Sequence, residues 1–465
     1  MQPESPSKKI ATVIGGGLAG CEAAWQIASR GFPVRLFEMR PETKTKAHKT
    51  GDLAELVCSN SLRGAALSNA VGLLKEELRL AKSLIMQAAD ASAVPAGGAL
   101  AVDRSAFSAF IENKISNHPL IEIHREEVTS IPAYSTSTPV VIASGPLTSP
   151  ALFKRIMELT GSEQLSFFDA ISPIVTVGSL DLSKIFRQSR YDKGDGDDYL
   201  NIPLDEQQYY EFADSVIAGE KFSGHEEVES DSIENLRPFE GCMPIEDMLA
   251  RGRDTLLFGP MKPVGLSDPR TGRRPYAVIQ LRQDDKEGHL WSMVGFQTRL
   301  KQPEQRRIFS SLPGMAEAEF VRLGSVHRNS FINSPNLLAA TLEHREKKGL
   351  FFAGQITGVE GYVESTAAGF VAGWNIARLL SGHDMLAFPS NTAIGSLIDY
   401  ISDPERKDFQ PMNISFGLMK CYLDMPMRDE KGRKTSKNEK REHISRQALE
   451  TLEKFLLMFP PNESV

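Results

Sequence analysis

At 465 residues, 41% of them hydrophobic, the chain is too long for one ordinary domain and apolar enough for a sizeable core, so two domains are expected. With 24% charged residues, a mean hydropathy of -0.25 and no apolar run near the ~20 residues that a bilayer crossing requires, the composition excludes a helical membrane protein. A net charge of -7 excludes a uniformly basic coat but leaves room for the local basic patches that meet nucleic acid.

The start, "MQPESPSKKI", carries no apolar stretch of a secretory signal, so a cytoplasmic, reducing location with cysteines as thiols is expected. "KKIATVI" then reads as a short buried strand, "GGGLAG" as a turn, "CEAAWQIASRG" as a helix and "FPVRLFEMRP" as a second strand ending at Pro41. Together they make a βαβ unit. The polar stretch from Lys44 to Gly64 reads as a loop around Cys58, and "LSNAVGLLKEELRLAKSLIMQAAD" has the spacing of one long amphipathic helix. "VPAGGALAVDR" follows as a turn-rich connector, "SAFSAFIENKI" as a helix and "PVVIASGP" as a buried strand. From about Ile171 to Leu323 the pattern changes to short strands and loops rich in Asp, Gly, Arg and Pro. Strand, glycine turn and helix return in "KKGLFFAGQITGVEGYVESTAAGFVAGWNIARLL". The expected architecture is therefore α/β. A Rossmann-like FAD-binding domain of the glutathione-reductase type is built from 1–170 and 325–465, with a smaller α+β insertion at 171–324 and a basic C-terminal tail.

In "VIGGGLAG", Gly15, Gly17 and Gly20 fill GxGxxG between a strand and a helix, with Gly16, Leu18 and Ala19 in the same turn. Such glycines permit the tight bend and the close approach of backbone to a pyrophosphate, which the helix N-terminus faces. Glu38, at the end of the second strand, is the carboxylate expected on a ribose hydroxyl. Between FAD and NAD the late strand ending in Gly354 and Gln355 favours FAD, because flavoprotein domains commonly return the chain to the flavin in this way. As a plain core strand it would leave NAD as the cofactor.

Of the four cysteines, Cys21 opens a packing helix and Cys421 sits among apolar neighbours, so both are expected to be structural. Cys58, in "ELVCSNSLRG", and Cys242, in "FEGCMPIED", lie in small, polar, glycine-flanked loops and are the candidate reactive thiols. A thiol titrates near ~8.5 until a cation or helix N-terminus lowers it, and Arg63 is the candidate cation near Cys58. Neither CxxC nor HxxxH spacing occurs, so no metal is expected.

The two cysteine phrases, with "NAVGLLKEELR", "LLFGPMKPVGL", "YAVIQLRQD", "VGFQTRL" and "FFAGQITGVEGYVES", closely resemble the TrmFO (Gid) family, from Ile10 into the C-terminal region. Those proteins are folate- and FAD-dependent tRNA (uracil-54-C5)-methyltransferases. The resemblance implies tRNA as partner, 5,10-methylenetetrahydrofolate as carbon donor, FAD as carrier and reductant, and NAD(P)H as its source of electrons. Uracil C5 is a poor nucleophile until a thiolate adds to C6. Carried over by motif, Cys242 is that nucleophile and Cys58 the partner in removing the C5 proton. The target uridine must also leave its stack, at a cost of a few kcal/mol. Arg270, Arg273, Arg274 and the tail from Lys431 to Arg446 are the nominated RNA contacts, each equally readable as a solvated charged face. Folate would sit beside "VGFQTRL", where Arg299 and Gln302 replace the histidine and tryptophan usual in the family. Asn333 and Tyr362 are candidate pocket residues. The rival readings are another FAD-dependent RNA uridine-modifying enzyme, acting on ribosomal RNA or a wobble uridine, a small-molecule flavin oxidoreductase with a redox thiol pair, and a flavin-bearing scaffold without catalysis.

Overall fold

The computed structural model describes residues 9–45, 47–161, 165–222, 243–407, 409–423 and 436–460. The expected βαβ unit is β1 (Ala11–Ile14), α1 (Leu18–Ala28) and β2 (Val34–Phe37). After it come β3 (Ser61–Gly64), α2 (Ala70–Leu80), α3 (Leu84–Ala91), β4 (Ala93–Val94), β5 (Ala99–Val102), α4 (Arg104–Ser116), β6 (Ile121–His124), β7 (Val140–Ile142) and α5 (Pro150–Thr160). The middle of the chain contributes β8 (Leu165–Ala170), β9 (Ile174–Thr176), β10 (Phe186–Arg187), β11 (Tyr199–Leu204), α6 (Glu206–Ala218), α7 (Ile245–Ala250), α8 (Thr255–Phe258), β12 (Ala277–Gln283), β13 (Leu290–Met293), α9 (Gln302–Ser310) and β14 (Phe320–Arg322). The last part holds β15 (Val326–Phe331), α10 (Ser334–Leu337), β16 (Leu350–Phe352), α11 (Tyr362–Ser381), α12 (Ala393–Ser402), α13 (Lys420–Leu423) and α14 (Lys437–Leu456).

Short strands, wholly buried at β7 and β16 and partly exposed at β2 and β6, build a parallel sheet of order β16-β7-β1-β2-β6. The strand order reverses between β1 and β7, so a crevice opens there beyond the carboxyl ends of the strands, where α/β sheets bind ligands. The middle segment forms its own sheet, β10-β11-β12-β13-β9-β14, with antiparallel neighbours throughout. Two separate apolar cores result, one drawn from residues 11–156 and 331–452, the other from 175–315. A two-stranded ribbon, β8 with β15, pairs the chain entering the middle segment with the chain leaving it.

Helix α11 lies against α1, and small residues set the distance between them. A Cβ at Gly369 would overlap the Ala19 carbonyl oxygen, and one at Gly373 would meet the Ala23 oxygen at 2.6 Å. Because the obstacle is backbone, the helices must separate to admit a larger residue. Gly369→Leu is expected to cost more than the ~1–3 kcal/mol of ordinary overpacking, read as a lower chemical-denaturation midpoint; an unchanged midpoint would refute this account of the contact.

The single long helix expected over 67–90 is two. Lys82 takes a left-handed φ of 57°, and Ser83 caps α3 by accepting the Met86 N–H at 3.2 Å. The break comes from outside the segment: buried Glu22 on α1 accepts the Ser83 hydroxyl (2.7 Å) and the Ile85 N–H (3.1 Å). Likewise the connector at 94–104 is partly a β4–β5 hairpin.

Glu77, fully buried on α2, accepts the Ala393 and Ile394 N–H groups at 2.7 and 2.8 Å at the start of α12. Burial nonetheless pushes its acid up from 4.5 to about 7. A carboxyl whose folded pKa is raised takes up a proton on folding, so its contribution to stability falls as pH rises from 4.5 to about 7. Denaturation midpoints of Glu77→Gln should gain on those of the parent across that window, whereas a difference independent of pH would refute the assignment.

Candidate functional site

The glycine turn sits at the carboxyl end of β1, with Glu38 just past β2, Ala143 to Gly145 past β7 and Gly354 past β16. Between them runs a cleft of about 1000 Å³ lined by Gly15, Gly17, Leu18, Ala19, Glu38, Gly354 and Gln355, among others. Gly16 and Gly20 stand behind it. The glycines divide the work. Gly15, at φ 107°, bends where a Cβ would meet the Ala143 oxygen at 2.5 Å, and a Cβ on Gly20 would overlap the Gly15 oxygen. A Cβ on Gly17 would meet nothing within 4 Å, leaving open space at the N-cap of α1. This is the shape a pyrophosphate needs beside a helix N-terminus.

Glu38 is buried and accepts the Gly16 N–H (2.8 Å), the Arg40 N–H (3.0 Å) and the Arg40 Nε (2.8 Å). Burial opposes its charge, but the Arg40 guanidinium and these N–H groups outweigh it and hold the carboxyl below its usual range. Arg40 in turn reaches Glu55 at 3.1 Å. An anionic acceptor is thus fixed at one end of the cleft. The open N-cap and this carboxylate fit a dinucleotide.

At the other end, Val57, Pro146, Leu147, Gln355 and Tyr362 line both this cleft and a second one of about 1390 Å³. Cys58, Ser59, Arg63, Arg282 and Asn413 belong to the second. The Tyr362 hydroxyl oxygen accepts the N–H groups of Cys58 (2.8 Å) and Ser59 (3.2 Å). Arg63, nominated by nearness in sequence as the cation for Cys58, closes an ion pair on buried Glu364. Three other guanidinium groups bind the loop: Arg104 donates to the Cys58 oxygen, Arg282 to Ser59 Oγ and Asn60 Oδ1, and Arg322 to the Val57 oxygen. No local signal pointed to them, since they lie 46 to 264 residues away. Cys242 falls outside the described residues. Its chain continues into Met243, and the Ile245 N–H donates to the oxygen of Gln297, which lines the second cleft, at 2.9 Å.

Cys21 is buried, donates to the Gly16 oxygen at 3.3 Å and has its thiol pushed up by burial; Cys421 is half-buried against the first core. Among the described residues no group of His, Cys, Asp and Glu could hold a metal, and no helix is long and apolar enough to cross a membrane. Arg270 forks onto Asp268 at 2.7 and 2.9 Å, whereas Arg273 and Arg274 are exposed. In the tail, Lys440 lies over the Tyr422 ring and Arg441 over Phe416, while residues 431–435 are outside the described set. Arg299 pairs with Asp247, Gln302 begins α9, and Asn333 precedes α10 and lines neither cleft.

Residues 10–384 match the family model of glucose inhibited division protein A. The chain is 58% identical over 445 residues to the methylenetetrahydrofolate--tRNA-(uracil-5-)-methyltransferase TrmFO of Heliobacterium modesticaldum, covering 96% of this chain and 97% of that one. It is 56% identical to the protein of the same name from Geobacter sulfurreducens, covering 96% and 98%. Among solved structures, Aquifex aeolicus GidA in its form II crystal superposes with a TM-score of 0.68 at 17% identity, over 97% of this chain and 74% of that one.

Proposed function

This chain belongs to the glucose inhibited division protein A family, in its TrmFO group, and from that membership we propose that it methylates C5 of the T-loop uridine at position 54 of tRNA, with methylenetetrahydrofolate as donor. FAD is its cofactor, NAD(P)H the reductant, and 171–324 the inserted domain. The observation that carries the reading beyond likeness is the merging of two clefts: five residues shared by the dinucleotide-shaped cleft also wall the one that holds Cys58.

Gly17 and the N-terminus of α1 would take the pyrophosphate, and Glu38 a ribose hydroxyl. Gly15, Gly16, Leu18, Ala19 and Gly20 shape that turn, and Gly354 and Gln355 close the far end. When bound, the flavin supplies a carrier for the one-carbon unit and a hydride. The protein residues do the rest. Cys242 Sγ adds to uracil C6, which places negative charge on the ring and makes C5 nucleophilic. Cys58 Sγ accepts the C5 proton once the new carbon bond has formed, and the Cys242–C6 bond then breaks as the methyl group is completed, returning Cys242 as a thiolate.

The test is to incubate the purified protein with unmodified tRNA, labelled methylenetetrahydrofolate and NADPH and to look for labelled 5-methyluridine. Label should vanish on a transcript lacking uridine 54. Label in ribosomal RNA alone would move the target. NADPH turnover with a disulfide substrate, without label in RNA, would favour the dithiol oxidoreductase instead.

A further inference from the structure

The Cys58 loop owes its shape to side chains from four distant elements. Arg104 on α4 donates from Nη1 to the Leu56 oxygen and from Nη2 to the Cys58 oxygen at 3.1 Å, while its Nε lies 2.9 Å from Asp284. Arg322 on β14 donates to the Val57 oxygen at 2.5 Å. Arg282 on β12, itself buried, donates from Nη2 to Ser59 Oγ at 2.7 Å and from Nε to Asn60 Oδ1 at 3.0 Å. Tyr362 on α11 receives the Cys58 and Ser59 N–H groups.

Neutral donors could satisfy these carbonyls. Three largely buried guanidinium groups beside the Asp284 carboxylate instead leave an excess of positive charge, which is costly unless an anion shares the space. Burial holds Arg282 and Arg322 below their usual range, whereas Asp284, Tyr362 and Cys58 together overcome burial at Arg104. Two of the three arginines come from the antiparallel sheet of the middle segment and one from the first part of the chain.

We infer that Arg104, Arg282 and Arg322 are positioning residues that hold the Cys58 loop in one place, tying the middle sheet to the reactive thiol. The inference rests on the proposed methyl transfer only for why the thiol must be held. Its test therefore reads the thiol directly. Alkylation of each cysteine by iodoacetamide at fixed pH is followed by peptide mass spectrometry, with Cys421 as internal reference.

Arg282→Gln with full flavin is expected to release the loop and change the alkylation rate of Cys58 relative to Cys421 at least about threefold, and Arg322→Gln to do the same from the sheet edge. Arg282→Lys keeps the charge but cannot bridge Ser59 and Asn60 together. It should change the alkylation rate as the glutamine variant does and lose most of kcat, with KM for tRNA unchanged. Parental Cys58 alkylation in a flavin-loaded glutamine variant overturns the inference. Loss of flavin from both glutamine variants would assign the arginines to folding alone and overturn it too. A parent that makes no 5-methyluridine sinks the methyltransferase reading and leaves the alkylation test standing.

Discussion

Cys58→Ala protein should purify yellow, accept electrons from NADPH as the parent does, and make no detectable 5-methyluridine. Cys58 lines the second cleft and not the glycine cleft, so the residues proposed to hold the pyrophosphate and ribose stay in place. Removing a group that moves a proton in the transition state costs roughly 10²–10⁴-fold in rate, enough to abolish product in an ordinary assay. The proposed division of labour between the thiols also has a signature. With Cys242 intact, uracil C6 can still be attacked, so Cys58→Ala should accumulate RNA joined covalently to protein and visible as a retarded band on a denaturing gel. Cys242→Ala should give neither product nor band. The opposite pattern would exchange the two roles, and full methylation by Cys58→Ala would remove this residue from the chemistry altogether.

The glycine turn yields the second large effect, because its three glycines should fail in different ways. Gly17→Val places its side chain in open space, so the apoprotein should fold with a near-parental denaturation midpoint yet emerge colourless, its pyrophosphate site filled. Gly20→Ala meets the Gly15 oxygen and Gly15→Val meets Ala143 from a left-handed φ, so both should lose stability along with flavin. Flavin absorbance after gel filtration and a chemical denaturation curve separate the classes. A yellow Gly17→Val protein, or a fully stable Gly20→Ala one, contradicts the assignment.

What could be read from the chain beforehand was what is local. The strand, turn and helix around Gly15 and the carboxylate of Glu38 follow from residues close together in sequence, and so does the return of the chain at Gly354. The break at Lys82 was hidden because the apolar period runs on unbroken into Leu84, Ile85 and Met86; the residue that claims the α3 N-terminus is Glu22, on another helix. Proximity in sequence misled for the same reason at Cys58. It selected Arg63, five positions on, which is spoken for by Glu364, while the guanidinium groups in contact with the loop arrive from α4, β12 and β14. Charges acting through space are legible only once the sheets are packed.

The close contact of α1 with α11 has a consequence for how the protein is made. The turn at Gly15 is synthesised well before the strand beside β7 and the helix that holds α1 in place, which lie beyond residue 349. A nascent chain therefore waits with an incomplete crevice until β16 and α11 have been synthesised. Flavin capture becomes a late event that follows long-range pairing.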